Sequence, residues 1–358
     1  MDLSLLKLLR CPVTRSSLHI EVISKSKKKF DLVEEDIIQE GILFSDNDWF
    51  YPVVGGVPRL LVEAFYDYAE FFQRYLPDYE RRKSVLERKY DHLLNYVVKK
   101  NRRTKQSFTK EWNVYKYDAD KTWDLDQEGM LVRFLQEIDE KQESLRDKFI
   151  LDAGCGNGVL NRIIAENGAT VLGMDVSISI ERAFAYNNQK TAFFIQGDVQ
   201  FPPVAFGVFD IVHSSGVLHH TNNTELSFSC IEPCVKAGGK LSIWLYHHRA
   251  NFLHNTVNSI RRVTSRLPVK VQYHLYRVTL LPVTFIINYM KGTRKNARET
   301  MVKLLDWFSP EFRFEHEPDE VRSWFYKRGY DTVKVTTADL FGFNTIGNKR
   351  ITNADSRI

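Results

Sequence analysis

The 358-residue chain predicts an α/β protein built on a parallel sheet, and three observations carry that class. From Lys148 onward, short runs rich in β-branched and aromatic residues, "KFILDA", "ATVLGMDV", "TAFFIQGDV", "FDIVHSS" and "GGKLSIWLY", alternate with stretches of helical spacing. Strands buried on both faces and separated by helices form a parallel sheet. The chain is 43% hydrophobic and 13% aromatic, enough core for one large domain or two ordinary ones. Glycines crowd the turn behind the first run, "DAGCGNG", and open α/β sheets bind ligands at the carboxyl ends of their strands.

Taken in order, residues 1–62 read as short strands and turns. "CPVTRSSLHI" is followed by "GILFSDNDWFYPVVGGVPRLL", in which Asp46-Asn47-Asp48 is turn chemistry between apolar runs. Residues 63–107 read as a helical arm, with Phe71, Phe72, Tyr75, Leu86, Tyr90, Leu93, Leu94 and Val97 recurring at three and four residue steps. Its end, "VVKKNRRTKQSFTK" at 97–110, is basic without an acid and reads as a solvated linker. The second unit, residues 108–350, holds the parallel sheet, with helices expected at 161–166, 179–187 and 224–235. "PDEVRSWFYKRGY" then gives another helix and "DTVKVTT" another strand. A helical insertion is expected at about 248–300.

Charge and cysteine usage narrow the class. A net charge of +5 does not mark a nucleic-acid binder by composition alone. Cys11, Cys155, Cys230 and Cys234 are dispersed and no secretory pattern opens the chain, so reduced thiols and a cytoplasmic protein are expected. No apolar run approaches the ~20 residues that span a bilayer.

The glycine turn discriminates among ligands. A P-loop needs Lys-Ser or Lys-Thr after the last glycine, but Val159-Leu160 follows Gly158. A dinucleotide fold wants G-x-G-x-x-G, and Val159 stands where the third glycine belongs, although spacing alone does not exclude it. A nucleoside without phosphate can lie over such a bare backbone. The run Asp152-Ala153-Gly154-Cys155-Gly156-Asn157-Gly158 resembles motif I of the class I, Rossmann-like S-adenosyl-L-methionine-dependent methyltransferases. That resemblance implies that Asp152 orients the cofactor amine and that the backbone of Gly154, Cys155 and Gly156 meets its methionine part. It extends through residue 246. Asp175 in "VLGMDVS", with Val176 beside it, would take the ribose hydroxyls. Asp198 and Val199 would meet the adenine amino group and ring. Ser214 lies in "FDIVHSSGVLHHT", which resembles the fourth-strand motif at the transfer centre. "VKAGGKLSIWLY" supplies the turn into the fifth strand.

Methyl transfer to an alcohol or phenol requires alignment and loss of a proton. His219 and His220 follow the fourth strand and are candidates to take it, or to shape the pocket without doing so. Tyr246, His247 and His248 end the fifth strand and could line the same space. "SFTKEWNVYKYDADKTW", with Phe108, Trp112, Tyr115 and Trp123, resembles the lid helix that small-molecule members lay over the cofactor; a helix merely packed on the sheet fits as well. Asp306 and His316 are further candidates near the substrate. Cys230 and Cys234 lack a third ligand, so no zinc site is expected.

The N-terminal segment resembles the small zinc-ribbon-like protein that activates several methyltransferases of RNA and translation factors. Only Cys11 stands in the first 150 residues, so a metal-free scaffold packed on its own enzyme is expected. Between Pro233 and Arg298 there is no acid, while Lys and Arg total twelve. Mixed with aliphatic and aromatic residues, this stretch reads as a cap over the substrate mouth or as peripheral membrane contact through 250–298. An anionic small-molecule acceptor, such as a nucleotide-linked or lipid-linked sugar, would be drawn to it. The expectation is O-methylation of a small-molecule or carbohydrate acceptor. An RNA methyltransferase and a catalytically silent cofactor-binding partner are the alternatives, with nucleic acid behind the small molecule.

Overall fold

The computed structural model describes residues 1–31, 33–248, 252–290, 292 and 296–351, without the side chains of 252–257. The N-terminal segment forms an antiparallel sheet of β1 (Leu18–Phe30), β2 (Val33–Ser45), β3 (Phe50–Val54) and β4 (Val57–Pro58), in that order. Short strands were the expectation, yet β1 and β2 run thirteen residues each. Their far halves are too charged to show apolar alternation. Charge pairs them instead, since Lys27, Lys28 and Lys29 face Asp36, Glu35 and Glu34, and opposite charges across an antiparallel pair support the register.

Helices α1 (Ala64–Asp67) and α2 (Ala69–Tyr75) close this sheet, and α3 (Tyr79–Val114) leaves it. An aromatic cluster holds the junction: Phe72 meets Phe50 edge-on at 4.8 Å and stacks on Tyr79 at 5.7 Å. At 36 residues, α3 reaches about 54 Å at 1.5 Å per residue, bending at Tyr90, where φ is −128°. Residues 97–110 therefore lie inside a helix and form no linker. Lys100, Asn101 and Ser107 within that run are buried.

The central sheet follows. Its strands are β5 (Phe149–Ala153), β6 (Thr170–Asp175), β7 (Ala192–Gln196), β8 (Phe209–Ser215), β9 (Val235–Tyr246), β10 (Tyr330–Ala338) and β11 (Gly342–Lys349), ordered β10-β11-β9-β8-β5-β6-β7. The expected α/β, Rossmann-like sheet is present: β7, β6, β5, β8 and β9 are parallel, and β11 runs antiparallel to β9 and to β10. The strand order reverses at β5, flanked by β6 and β8, so a crevice opens at the carboxyl ends of these strands. Helices α5 (Val159–Glu166), α6 (Ile180–Tyr186) and α7 (Thr224–Ile231) occupy the connections, and α12 (Pro318–Lys327) precedes β10. Helix α4 (Gln127–Ile138), unmarked in the sequence reading, covers β9, β10 and β11.

The N-terminal sheet packs on this core. Leu9 bridges to Val204, Leu60 N–H donates to the Gln196 carbonyl at 2.8 Å, and the buried Arg59 guanidinium pairs with Glu181 at 2.7 Å. The insertion is helical, with α8 (Phe252–Thr264), α9 (Val269–Val278) and α10 (Leu280–Met290), and α11 (Ala297–Phe308) brings the chain back against α3. Arg249, Lys291, Arg294 and Lys295, counted among the insertion's cations, lie outside the described residues.

Candidate active site

A cavity of about 460 Å³ occupies the crevice. Its inner wall is the glycine loop between β5 and α5. Gly154 has φ +99°, and a Cβ there would come within 2.2 Å of Val217. A Cβ on Gly156 would enter the Trp112 indole at 2.7 Å. Five N–H groups of the loop and the start of α5 close on the protein. Gly154 and Cys155 donate to the Met174 carbonyl at 2.7 and 3.1 Å, and Gly158 donates to that of Cys155 at 3.0 Å. Gly156 donates to Asp175 Oδ2 at 3.0 Å and Val159 to Asn157 Oδ1 at 3.1 Å. A phosphate cradle offers free N–H groups and positive charge. Here those five amides are engaged and Asp152, Asp175 and Asp198 line the wall. The chemistry of this wall fits a nucleoside without phosphate and disfavours a diphosphate.

Asp152 sits in register with His213 across the parallel pair β5 and β8, which brings its Oδ1 within 3.2 Å of His213 Nδ1. His213 Nε2 lies 2.8 Å from Glu137 on α4, whose other oxygen accepts from Arg133 at 2.8 Å. Burial alone would favour neutral imidazole. The hydrogen bonds and charges of Asp152 and Glu137 outweigh it and raise His213 to about 9. Burial would also raise Glu137, but His213 and Arg133 hold it below the ordinary carboxylate value. An imidazolium is thus clamped between two acids beneath the glycine loop. His213 was within a quoted strand, but Glu137 carried no sequence signal.

Asp175 ends β6 and accepts from Gly156 through one oxygen and from the N–H and hydroxyl of Ser177 through the other, at 2.8 and 2.7 Å. Burial raises its proton affinity against those donors. Val176 and Val199 line the cavity beside it, and so does Cys155, whose thiol burial pushes far up. Asp198 also lines the wall, but its oxygens are engaged. Lys100 and Asn101 of α3 donate to Oδ2, and Gln200 N–H donates to Oδ1 at 2.9 Å. Asp198 therefore anchors α3, and an adenine amino group would compete with a buried ion pair. Ser214 is a correction. Strand alternation turns His213 and Ser215 to the cavity and Ser214 away, where its hydroxyl donates to the Ala153 carbonyl at 2.8 Å.

The outer half of the cavity gathers groups from distant segments. The His220 ring lies with Nδ1 3.0 Å from the Phe312 carbonyl. A carbonyl can only accept, so Nδ1 carries a proton, and Nε2 lies 3.6 Å from Asp306 Oδ1. Tyr246 O–H donates to Asp306 Oδ2 at 2.7 Å, and burial followed by the Asp306 charge pushes the phenol well above its usual range. His219 does not reach the cavity. It packs 4.1 Å from the Tyr246 ring with both ring nitrogens buried, and burial drives it far below an ordinary histidine. Of the other candidates, Phe108, Trp112, Trp123, Tyr246 and Asp306 line the cavity. His316 turns to Thr224 and Glu320, while His247 and His248 turn to Glu317 and Glu315. Glu111 of α3 also faces the cavity, and sequence reading missed it. Among the described residues, no group of three or more His, Cys, Asp or Glu is placed to hold a metal ion.

Residues 151–243 match the family described as "Methyltransferase domain". The chain is 30% identical over 105 residues to a ubiquinone biosynthesis O-methyltransferase of Coxiella burnetii, covering 28% of this chain and 45% of that protein. It is 34% identical over 107 residues to an uncharacterized methyltransferase of Synechocystis, covering 29% and 50% respectively. The chain thus spans about half the length of these curated relatives. A solved magnesium protoporphyrin IX methyltransferase of Synechocystis with bound S-adenosylhomocysteine aligns at 16% identity and a TM-score of 0.41, over 69% of this chain and 98% of that one.

Proposed function

We propose that the chain is an S-adenosyl-L-methionine-dependent methyltransferase that methylates an oxygen of a small-molecule or carbohydrate acceptor. The observation that carries this reading is the wall of acids and closed amides at the glycine loop, which suits a nucleoside without phosphate. The methyltransferase family match falls on the same loop. Asp152, Asp175 and the backbone of Gly154 to Gly156 would hold the cofactor, with Val176 and Val199 against its apolar parts and Trp112 over the loop. The cofactor would supply a sulfonium methyl group for in-line transfer to the acceptor oxygen, a chemistry that also requires loss of the acceptor's hydroxyl proton.

Within that frame the chain's own groups have defined tasks. His220, whose ring the Phe312 carbonyl holds through Nδ1–H, takes the acceptor proton at Nε2. Tyr246 and Asp306, joined at 2.7 Å, orient the hydroxyl. Phe108, Trp244, Trp307 and Phe341 wall the chamber and exclude water. The basic lining residues are already ion-paired: Lys100 with Asp198, Arg133 with Glu137, and Lys303 with Asp124. The reacting end of the acceptor is accordingly uncharged, and any anionic group it bears would lie outside, toward the insertion. The N-terminal sheet serves as an activator-like buttress in cis, supported by its seam with the core.

No side chain of α10 is buried, although its sequence, LLPVTFIINYM, is almost wholly apolar. Ile286, Tyr289 and Met290 are 61%, 83% and 80% exposed, and Arg262, Arg266, Lys270 and Arg277 are exposed on the preceding helices and the turn between them. An apolar helix beside exposed cations suits the surface of an anionic membrane. Among the described residues, no helix is long and apolar enough to cross one.

The test is methyl transfer from labelled S-adenosyl-L-methionine into a metabolite extract. Wild type is expected to label a hydroxylated small molecule. His220→Ala should slow transfer by roughly 10²- to 10⁴-fold with S-adenosylhomocysteine binding retained, and Asp175→Ala should lose that binding. A chain that binds NADH or ATP but not S-adenosyl-L-methionine, or that labels only RNA, would sink the reading.

A further inference from the structure

Glu111 faces the cavity without a hydrogen-bond partner among the described residues. Its side chain is fully buried, and neither carboxylate oxygen has a hydrogen bond among the described residues. Burying such a group without a hydrogen bond is unfavourable, more so when it is ionised, so a ligand group is expected to answer it. Its place on α3 says which. Phe108, Glu111 and Trp112 fall on one helical face at i, i+3 and i+4. Phe108 meets the His220 ring at 5.5 Å, at the acceptor end. Trp112 covers Gly156, at the cofactor end. Glu111 stands between them. If a nucleoside lies at Asp175 and an acceptor at His220 and Asp306, the atom between is the donor sulfur, the charged centre of the reaction.

We propose that Glu111 is the counter-charge of the donor's sulfonium, a carboxyl that keeps its proton in the empty or product-bound site and releases it when the cationic donor binds. The proposal rests on the methyltransferase reading. The groups that face Glu111 are consistent with it. Asp175 at the end of β6 and Asp306 on α11 are acids, and Tyr246 on β9 donates its O–H hydrogen bond to Asp306. Arg313, stacked 4.3 Å from the Tyr246 ring, is paired with Glu315, and His220 Nε2 turns to Asp306. Burial, then the charges of Asp306 and Asp175, drive the Glu111 carboxyl well above the ordinary range. A ligand cation reverses that balance, whereas the demethylated product is a neutral thioether and does not. Because the donor must displace a proton, its binding should tighten as pH rises, by up to about tenfold per pH unit, and product binding should not.

The test is calorimetry of the full chain with S-adenosyl-L-methionine and with S-adenosylhomocysteine, each in phosphate and in Tris at one pH, so that buffer ionisation heats report proton release. Donor binding is expected to release about one proton more than product binding. Glu111→Gln should abolish the difference and weaken the donor relative to the product by about tenfold or more, leaving product affinity within about threefold. Equal proton release by both ligands in wild type, or an undiminished difference in Glu111→Gln, would overturn the proposal while leaving the methyltransferase reading intact. Failure of both ligands to bind wild type would overturn both. Should Glu111→Gln not fold, the wild-type ratio of donor to product affinity between pH 6 and 8 decides, and a flat ratio overturns the proposal.

Discussion

At the scale of single residues, the site is a set of buried charges whose partners come from distant parts of the chain. His213 is raised from 6.5 to about 9, so it binds its proton more tightly folded than unfolded. That stability is fully present below pH 6.5 and is lost as pH rises through 9. His213→Asn should therefore be most destabilised relative to wild type near pH 6, on the order of 3 kcal/mol, with the gap closing toward pH 9.5. Urea unfolding across that range is the measurement, and a gap that is constant with pH would refute the assignment. Motif residues such as Asp152 and Asp175 were legible because glycines and strand ends mark them. Glu111 and Glu137 were not, since an isolated acid in a helical stretch has the pattern of a solvated face. His219 and His220 are adjacent in sequence and could only be separated by the turn of Leu218–His220, which buries one beside Tyr246 and faces the other to the cavity.

Among the elements, α3 joins the parts of the site. It starts on the N-terminal aromatic cluster, passes Lys100 and Asn101 to Asp198, and delivers Phe108, Glu111 and Trp112 to the cavity. Its acid-free stretch looked like a solvated linker because the partners of its lysines are elsewhere: Lys100 meets Asp198 at the end of β7, and Lys105 meets Glu63 at 3.0 Å. Removing one member of a buried pair leaves the other uncompensated, so Lys100→Met should cost about 3–5 kcal/mol. Adding Asp198→Leu should recover much of that loss. Chemical unfolding of the single and double variants checks this, and an additive double variant would show that the pair is not coupled. The long hairpin of β1 and β2 escaped notice for a related reason, because cross-strand charge pairs set its register instead of apolar alternation.

For the molecule as a whole, the insertion gives the chain a face that the core does not cover. Full-length protein should float with phosphatidylcholine vesicles containing phosphatidylglycerol and not with phosphatidylcholine alone, and added salt should weaken the association. Ile286→Glu with Met290→Glu should abolish flotation without changing S-adenosylhomocysteine binding. Capture of a protein instead, or self-association through α10, would replace the membrane as its occupant. The sequence by itself determined the parallel α/β sheet, the glycine loop after its first strand and the acid closing its second, because strand periodicity and turn glycines are local constraints written residue by residue. Only the tertiary structure decided which charges neutralise one another, which of two neighbouring histidines faces the cavity, and that a helix leaving the N-terminal sheet places a buried acid at its centre. Burial and pairing depend on segments that meet only when the chain is folded.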